Sequence, residues 1–584
     1  MGGKPVDDAD DSTASAMQSR QPWTRVKTFS NRIRETFGWP MMAFIISSDF
    51  FIKGIGKHLI MTTFLPYAQT YLKFSAQAFQ RFDVLVSFPW MLKPFCGLVT
   101  DTLPIGGYRK RYYLSIFATL GTVCLALLAQ GEFGPWNSRY FTSLVLGVNT
   151  WVAFSDTLTG ARVFEAMSGA QRSGSDLMTW QWSVATAGSL IGTLLSYFGL
   201  ASGRYNLIYW MALPTALQFV FTTASGLLPE DPANFNAHTL AKKHWDMFTV
   251  TMVVTVVSVV VIIMQLIDEI ERNLYLCFGC CFGMLLLLMG TLYWKLEKRT
   301  ALMLMYLLIE RFLCVNVKQA KVYWFTEDKQ CVPDGPHFDY VFFSVITFAV
   351  ALVAQFIGIY LFQEYLSRSK VRYVFIASTV TKIIAKSMDI WIIMRLNLRM
   401  GIDDRSAYVF GEGVIEGVAY IFTFMPSAAV LSKVCEKNVE TTLYTLLGGI
   451  VNVGQALAVT MGSASMTFVG IHTDLVAGNC NFDRLIPLLV TSGMVIPLLS
   501  IPFIFLFIPD WTMDEDLSGS IDESVKNSSS RRGSPSAMAR SPSPPPSASR
   551  SPNTPRTPRT PRSPASPRDE ADADKKTRRT LADE

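Results

Sequence analysis

Charged side chains interrupt a long apolar stretch near the start of the chain. Asp49, Lys53 and Lys57 are spaced four residues apart, which places them on one face of a helix, and His58 follows directly. A carboxylate and lysines in this arrangement could form an internal ion pair that opens to bind an anion, and the aspartate could accept a proton. The alternative interpretation is an ion pair that serves packing alone, or lysines whose ammonium groups reach the membrane surface.

Similar charges recur in other apolar stretches. Lys93 lies between Pro89 and Pro94, which loosen the backbone of the helix around it. Some of the remaining charges must form structural pairs, because two cationic clusters in one bundle would repel each other. The residues predicted to bind substrate or couple protons are Asp49, Lys53, Lys93, Asp156, Lys382, Lys386 and Asp389. Further charges of the same kind are Glu310, Arg311, Lys318, Glu412 and Glu416.

The elements that position these residues are membrane-spanning helices. Half of the 584 residues are hydrophobic and only 17% are charged, which exceeds what one soluble core requires. Apolar runs of about twenty residues recur, the length that a helix needs to cross a bilayer, whereas a β-barrel would show short alternating segments. The net charge of +6 is concentrated in membrane-flanking loops and in the tail, so it does not indicate a nucleic-acid partner. The sequence predicts an all-α polytopic membrane protein.

The apolar stretches also predict the topology. Alternate connections between them carry 20 and 11 Lys plus Arg residues, and the richer set is expected on the cytoplasmic side together with both termini. The plasma membrane is the expected location, and membrane lipids are expected partners. The fourteen predicted spans are at about 41–66, 80–100, 112–131, 140–163, 177–200, 204–228, 247–267, 274–294, 301–325, 339–364, 371–396, 406–431, 441–466 and 484–508.

A short basic loop follows the second predicted span. Gly97 and Asp101 precede a glycine pair and the run Arg109-Lys110-Arg111, an order that resembles the signature between the second and third helices of major facilitator transporters. The resemblance implies that the acid and the bases form a cytoplasmic gate between two halves of the molecule. The alternative is that the arginines only fix the topology. The predicted gate residues are Gly97, Asp101, Arg109, Arg111 and Arg162.

The wider run around this loop is more particular. PWMLKPFCGLVTD at 89–101 and LPIGGYRKRYYL at 103–114 resemble the hallmark of the folate-biopterin transporter family, as do SDTLTGARVFE at 155–165 and KNVETTLYTLLGGIVNVGQ at 437–455. Family members tend to carry a second aspartate four residues after Asp156, and this chain has Gly160 there. That departure puts in doubt any mechanism that needs both carboxylates.

The resemblance to the folate-biopterin transporter family implies a more specific function than the residues alone predict. It implies uptake of pteridines such as folate and biopterin by proton symport, with S-adenosylmethionine carried by some protozoan relatives; no cofactor is expected, and the proton is the expected coupling ion. From the residues alone we predict only a solute transporter with charged groups in mid-membrane. Catalytic motifs of an embedded enzyme are not found, and the many spans argue against a receptor. Aromatic candidates for stacking on a pterin ring, each of which could instead serve packing, are Trp90, Trp151, Trp180 and Trp182.

An internal repeat groups the predicted helices. Gly97 precedes Arg111-Tyr112 by the same distance as Gly358 precedes Arg372-Tyr373, which indicates a parallel duplication. Such repeats are typical of major facilitator transporters, whose substrate lies between the halves. We therefore predict a major facilitator fold with two six-helix halves and a two-helix central insertion. The predicted segments are an N-terminal tail (1–38), a first bundle (39–228), a linker (229–246), the insertion (247–299), a second bundle (300–509) and a C-terminal tail (510–584).

The cysteines and the tail allow further predictions. Cys331 and Cys480 lie in connections predicted to face away from the cytoplasm, so a disulfide between them is an open alternative. The CFGCC run at 277–281 has a metal-like spacing but no histidine or carboxylate neighbour, so we do not predict a metal site. The Ser/Pro/Arg-rich tail is expected to be disordered, and its Ser-Pro and Thr-Pro steps are candidate sites for a proline-directed kinase. An unregulated solubilising tail is the alternative.

Overall fold

The computed structural model describes residues 22–169, 174–228, 230, 245–366, 369–434, 440–508, 510 and 512. Nearly all of the predicted C-terminal tail with its candidate phosphorylation sites, most of the linker and residues 1–21 lie outside these ranges. Apart from connecting loops and one small hairpin, the described part is helical, in agreement with the predicted all-α class.

The first half consists of six long helices. The first begins at Pro22, well before the predicted start, and runs through Pro22–Ile45, Ile46–Gly56 and Lys57–Thr62; we call it α1. Gly38, at φ +80°, breaks its course just before Pro40. The others are α2 (Ala76–Thr102), α3 (Arg111–Gln130), α4 (Ser138–Gly169), α5 (Gly174–Ala201) and α6 (Tyr205–Ala224).

In the part of the chain that the structure describes, two long helices then precede the second half. They are α7 (Trp245–Leu266) and α8 (Leu274–Lys295), with the short helix Asp268–Arg272 between them, and they pack against α13. The second half contains α9 (Lys298–Thr326), α10 (Phe342–Leu366), α11 (Val371–Ile393), α12 (Asp404–Tyr408, Val409–Ile415 and Glu416–Val434), α13 (Glu440–Phe468) and α14 (Leu485–Phe507).

Eleven helices of the described residues are long and apolar enough to span a membrane. The three remaining long helices, α1, α4 and α11, carry charges that the sequence analysis singled out, and polar residues lower their hydropathy. Leu286, Trp294 and Phe221 are among the large apolar side chains exposed on the outside of the bundle, where lipid would cover them. The charges therefore belong to the inside of the bundle.

The second helix breaks where its prolines predict. It consists of Ala76–Met91 and Lys93–Thr102, separated at Leu92. Pro94 has no N–H to donate to the carbonyl of Trp90, four residues earlier. The Asn452 side chain on α13 donates to that carbonyl instead, at 2.9 Å. Asn452 therefore satisfies a backbone group that the proline leaves open and ties α2 to α13.

The two halves approach each other along α2 and α13 and along α5 and α10. Glycines allow the backbones of α2 and α13 to approach each other closely. A Cβ atom on Gly449 would lie 2.3 Å from Cγ of Pro94, and one on Gly97 would lie 3.0 Å from Oγ1 of Thr445. Within the first half, Gly188 on α5 faces α1 in the same way, as the small-residue spacing Gly188-x-x-x-Gly192 predicts.

One end of the bundle carries a small cap. Strands β1 (His472–Asp474) and β2 (Asn479–Asn481) form an antiparallel hairpin between α13 and α14, which the sequence did not predict. Cys480 on β2 forms a disulfide with Cys331, so the bridge that the sequence left open is present. Thr473 on β1 accepts a hydrogen bond from the backbone N–H of Ala76 at 2.7 Å. The hairpin of the second half therefore contacts the start of α2 in the first.

The α1–α5 contact gives a test of the packing. Replacing Gly188 by Ala would place a Cβ atom 2.3 Å from the carbonyl oxygen of Phe50. We expect this overpacking to lower the free energy of unfolding of the purified protein in detergent by about 1–3 kcal/mol. Gly279→Ala on α8 is the matched control, because a Cβ atom there meets nothing within 4 Å. Equal stability of both variants would contradict the close approach of α1 and α5.

Candidate functional site

A cluster of charges from α1, α2 and α4 lies inside the first half; we call it the N cluster (Asp49, Lys53, Lys57, Lys93 and Asp156). The Lys53 ammonium lies 2.6 Å from Oδ1 of Asp156, and the Lys93 ammonium lies 2.5 Å from Oδ2 of the same carboxylate. Asp156 is 8% exposed and Lys93 is 7% exposed. Two lysines from different helices thus compensate one buried carboxylate.

Asp49 is the less well compensated carboxylate of the N cluster. It is 1% exposed, and its Oδ1 lies 3.8 Å from the Lys53 ammonium and accepts a hydrogen bond from Gln181 on α5 at 3.1 Å. Its Oδ2 is buried without a hydrogen-bond partner. Asp49 lies in the segment Ile46–Gly56, which has π-helical geometry, a feature frequent at functional sites.

Two tryptophans surround the lysines of the N cluster. The Lys53 ammonium lies 4.6 Å from the ring centroid of Trp182, and the ammonium groups of Lys57 and Lys93 lie 4.5 and 4.6 Å from that of Trp90. The Trp182 ring also contacts the Phe424 ring on α12, at 4.8 Å between centroids. Trp182 therefore joins the N cluster to the second half.

The other two tryptophans from the sequence analysis serve packing. Trp151 is 1% exposed, and its side chain fills the space left by Gly121 on α3. Trp180 packs against a small apolar cluster that includes Ile33 and Met41 of α1. Trp90 and Trp182 are thus the two candidates that lie against lysines.

The second half holds a second set of charges, buried or half-buried, on α9, α11 and α12, which we call the C cluster (Glu310, Arg311, Lys321, Lys382, Lys386, Asp389, Glu412 and Glu416). At its centre, the Lys321 ammonium lies 2.9 Å from Oδ2 of Asp389 and 2.7 Å from Oε2 of Glu412. Lys321 and Asp389 are each 3% exposed. One lysine thus connects all three helices.

The rest of the C cluster is also paired. Lys382 forms an ion pair with Glu310, and Nε of Arg311 lies 3.2 Å from Oε2 of the same glutamate. The Lys386 ammonium lies 3.3 Å from Oε2 of Glu416 and 3.8 Å from Oδ2 of Asp389. The structure therefore brings Lys382, Lys386 and Asp389 into one network, although Lys382 and Asp389 do not pair with each other.

The predicted repeat is visible in these positions. Arg111 and Arg372 are 261 residues apart, and the same offset relates Asp49 to Glu310, while Asp156 and Glu416 are 260 apart. Arg111 donates to the carbonyl of Ala224 at the end of α6, and Arg372 donates to the carbonyl of Ile508 at the end of α14. Each half thus carries an acid on its first and fourth helices. In each half, an arginine at the start of the third helix also contacts the end of the sixth.

Lys321 is the central residue that sequence reasoning missed. By sequence it counts with the connection 318–338, as a surface cation that helps to set the topology. The structure places it on α9 after a break at Cys314–Val317, inside the bundle. The missed signal is its position between apolar and aromatic residues, in the run KQAKVYWF at 318–325.

The predicted gate residues lie at the ends of α2, α3 and α4. The carboxylate of Glu230 accepts hydrogen bonds from the backbone N–H groups of Arg109, Lys110 and Arg111 at 2.9 to 3.3 Å, a favourable place for an anion because the helix α3 begins there. Buried Lys110 pairs with Glu165, which also lies 3.3 Å from Nη1 of Arg162. Asp101 is half-buried at the end of α2.

These gate contacts differ from the arrangement that the resemblance implied. The contacts given above for Arg111, Lys110 and Arg162 join elements of the first half with each other, not one half with the other. Gly97 of the predicted set faces the second half, through Thr445. Sequence reasoning also missed Lys110 and Glu230, since a basic loop gives no indication of which cation turns inward.

Besides the bond from Asn452 to Trp90, further hydrogen bonds between the halves lie at the opposite end of the bundle, which is predicted to face away from the cytoplasm. Gln69 donates to Thr326 at 2.9 Å, and the Tyr323 hydroxyl donates to the carbonyl of Phe74 at 2.7 Å. Gln80 donates to the carbonyl of Asn316 at the break in α9, at 2.7 Å. We call these contacts the outer junction.

Glu327 lies at the outer junction, directly after Thr326. It is half-buried, and its Oε1 has no hydrogen-bond partner. Burial and the neighbouring Asp328 carboxylate raise the pKa of Glu327 to about 7, although Lys73 of the first half opposes the shift. The carboxyl group is therefore easier to keep in the closed junction when it is protonated.

The described residues offer no group of three metal-ligating side chains. Cys277 and Cys281 of the CFGCC run are buried on α8 in an apolar cluster.

Comparison with known proteins identifies relatives over most of the chain. A profile described as the BT1 family matches residues 53–527. The folate-biopterin transporter of Synechocystis sp. is 25% identical over 475 residues, which cover 80% of this chain and 81% of that protein. The probable folate-biopterin transporter 4 of Arabidopsis thaliana is 21% identical over 500 residues, which cover 82% of this chain and 96% of that protein.

Solved structures with a similar fold are transporters as well. A structure from a study of substrate recognition in proton dependent oligopeptide transporters superposes with a TM-score of 0.52 at 12% identity, over 80% of this chain and 99% of that one. A point mutant of the nucleoside transporter NupG superposes with a TM-score of 0.50 at 15% identity, over 82% of this chain and all of that one. The predicted major facilitator fold is confirmed.

The centre of the C cluster can be tested by removing its shared cation. Lys321→Met leaves Asp389 and Glu412 without their closest counter-charge inside the bundle. We expect a loss of about 3–5 kcal/mol in the free energy of unfolding of the purified protein in detergent, as for other broken buried ion pairs. Lys329→Met is the control, since Lys329 is exposed. If both variants are as stable as the parent protein, Lys321 does not hold the three helices together.

The outer junction is expected to respond to pH through Glu327. Because its pKa in the closed junction is about 7, the stabilisation by the protonated form is complete below the ordinary carboxyl pKa and is lost as the pH rises through 7. Hydrogen exchange of residues 69–76, corrected for the intrinsic effect of pH, should therefore become faster between about pH 5.5 and 8. Glu327→Gln should remove this dependence, and Glu132→Gln, at an exposed position, should keep it. The same pH dependence in the Glu327 variant would exclude this carboxyl group.

Proposed function

Because the chain belongs to the BT1 family of membrane transporters, we propose that it carries a folate- or biopterin-type pteridine across the membrane together with a proton. It is an integral multi-pass transporter and not an enzyme. The names of the relatives support the pteridine, and the buried lysine–carboxylate network of the N cluster supports binding of a charged solute. The network is the observation on which the proposal mainly rests.

The N cluster suits a ligand that exchanges ion pairs. Lys53 and Lys93 both contact Asp156, and neither can leave it without a replacement, because an unpaired charge inside the bundle is costly. A substrate anion supplies that replacement and lets a lysine turn from Asp156 to the substrate. The neighbouring rings of Trp90 and Trp182 offer apolar faces to a planar heterocycle.

Asp49 is the proposed proton acceptor. Its Oδ2 has no hydrogen-bond partner, and Lys53, the lysine beside it, lies closer to Asp156. Protonation of Asp49 removes a buried negative charge and leaves Lys53 with more capacity for the substrate anion. A proton and an anion would then favour each other's binding, which is the requirement for symport. Asp389 in the C cluster shares Lys321 with Glu412 and is the second candidate.

Transport would proceed by rocking of the two halves. The α2–α13 contact is close, with glycines facing Pro94 and Thr445, so the halves can pivot there without large side chains in the way. The outer junction joins the two halves at one end of the bundle in this structure. On the predicted topology the conformation is closed toward the outside, and the substrate would leave toward the cytoplasm.

The gate residues have a proposed role in this cycle. Gly97 allows α2 to approach α13, while Asp101, Arg109, Arg111 and Arg162 lie around the loop that Glu230 holds. We expect their loss to slow the cycle more than it weakens substrate binding. A plasma-membrane location with both termini in the cytoplasm, and regulation of the tail by a proline-directed kinase, complete the proposal.

Uptake by proteoliposomes that contain the purified full-length protein tests the function. We expect saturable uptake of labelled folate or biopterin that an inward proton gradient stimulates. Asp49→Asn should abolish the stimulation but retain exchange of internal for external substrate, because exchange needs no net proton movement. Asp246→Asn, in an exposed ion pair with Lys295, is the control and should behave as the parent protein.

Two outcomes would contradict the proposal. Uptake equal to that of empty vesicles would contradict transport of a pteridine. Uptake by the parent protein that does not depend on the proton gradient would contradict proton symport. If the proton gradient stimulates uptake by the Asp49 variant as fully as by the parent protein, Asp49 is not the proton acceptor. Asp389 is then the next candidate.

A further inference from the structure

The positive and negative charges of the N cluster do not balance. It contains three ammonium groups, on Lys53, Lys57 and Lys93, but two carboxylates, on Asp49 and Asp156. In the C cluster, four cations face four carboxylates. Lys57 is the surplus cation, since no carboxylate oxygen of the described residues lies within 4 Å of its ammonium group, whereas Lys53 and Lys93 each have one at 2.6 Å or less.

Lys57 is held by an aromatic ring instead of an acid. Its ammonium lies 4.5 Å from the ring centroid of Trp90, and the side chain is half-buried. A cation–π contact holds an ammonium less strongly than a buried ion pair with a hydrogen-bonded carboxylate does. The ring therefore positions the ammonium without neutralising its charge. A carboxylate of a bound ligand can then form an ion pair with it.

The position of Trp90 places this arrangement at the contact between the two halves. Trp90 lies on α2 just before the break at Leu92, and its carbonyl accepts the hydrogen bond from Asn452 of α13. The neighbour of Lys57 in sequence, His58, contacts Phe348 of α10 with tilted rings, at 5.3 Å between ring centroids. Both sides of the Lys57 region thus contact the second half.

We propose that Lys57, resting on Trp90, binds a carboxylate of the substrate, so that the transported pteridine is an anion rather than an uncharged pterin or a sulfonium cation. The proposal rests on the proposed function and narrows its substrate class. One bound carboxylate makes the N cluster neutral. When Asp49 also holds a proton, the cluster has room for two negative charges, which matches the two carboxylates of the folate glutamate.

The alternative is that Lys57 only extends its ammonium toward water. In that case its substitution would leave affinity for every substrate unchanged. The two interpretations differ most for ligands that share a pterin ring but differ in the number of carboxylates, so a graded series of probes separates them. Biopterin has none, pteroate has one and folate has two.

The experiment measures uptake in proteoliposomes with full-length parent protein, Lys57→Gln, Lys57→Arg and the control Lys329→Gln. In the parent protein we expect pteroate and folate to compete with labelled folate much better than biopterin, and S-adenosylmethionine not to compete. Lys57→Gln should raise the KM for folate about tenfold, equal to ~1.4 kcal/mol, with little change in kcat. Lys57→Arg should restore much of the affinity, and Lys329→Gln should behave as the parent protein.

The outcomes separate this inference from the function on which it rests. If the parent protein transports neither folate nor biopterin, the proposed function fails. If it transports biopterin or S-adenosylmethionine as well as folate, and Lys57→Gln leaves the KM for folate unchanged, the protein remains a transporter but Lys57 is not its anion site. Size-exclusion chromatography shows whether the Lys57→Gln protein is folded. If it is not, the KM of Lys57→Arg for folate and the competition series in the parent protein test the role of Lys57.

Discussion

A charge buried inside a membrane-spanning bundle has to be compensated by the protein itself, and this requirement organises the structure. Lys53, Lys93 and Asp156 draw α1, α2 and α4 together, and Lys321 does the same for α9, α11 and α12 through Asp389 and Glu412. Removal of one partner would leave its counterpart unpaired in a medium without water, so each network fixes the mutual position of its three helices. Three of the helices that carry these groups, α1, α4 and α11, are also the long helices of the described residues that fall outside the eleven apolar enough to span a membrane.

The location of these networks agrees with a molecule that moves as two halves. Each ion pair described in the N and C clusters joins elements of a single half, so rocking would leave these pairs intact. The contacts described between the halves are glycine-mediated packing, aromatic rings and hydrogen bonds, which exchange at low cost. At the outer junction, Glu327 adds a carboxyl group whose raised pKa makes the closed state sensitive to pH. The ammonium of Lys57 lies over the ring of Trp90, close to the contact between the halves.

Much of this arrangement could be predicted from the sequence. Apolar length and the repeated Gly–Arg spacing predicted the helical class and the major facilitator fold, and the spacing of Asp49 and Lys53 correctly predicted that the two would be neighbours. Other features depend on tertiary contacts that a single sequence does not reveal. Lys321 looked like a loop cation because the break in α9 hides its burial, and Lys57 differs from Lys53 only in what lies opposite. Glu230 binds the backbone of the loop at 109–111, and Asn452 donates to the carbonyl that Pro94 leaves without a partner. Both contacts join residues that are far apart in sequence. The functional roles of the site residues, the segment boundaries and the number of spans stay predictions.

The claim at the centre of this account is that a substrate anion and a proton occupy the N cluster together. The most direct measurement follows the pH of a weakly buffered solution of the purified protein in detergent when folate is added. The account predicts that the parent protein takes up protons on binding folate and that Asp49→Asn binds folate with no such uptake. Folate binding without proton uptake in the parent protein, or with the same uptake in the Asp49 variant, would contradict it.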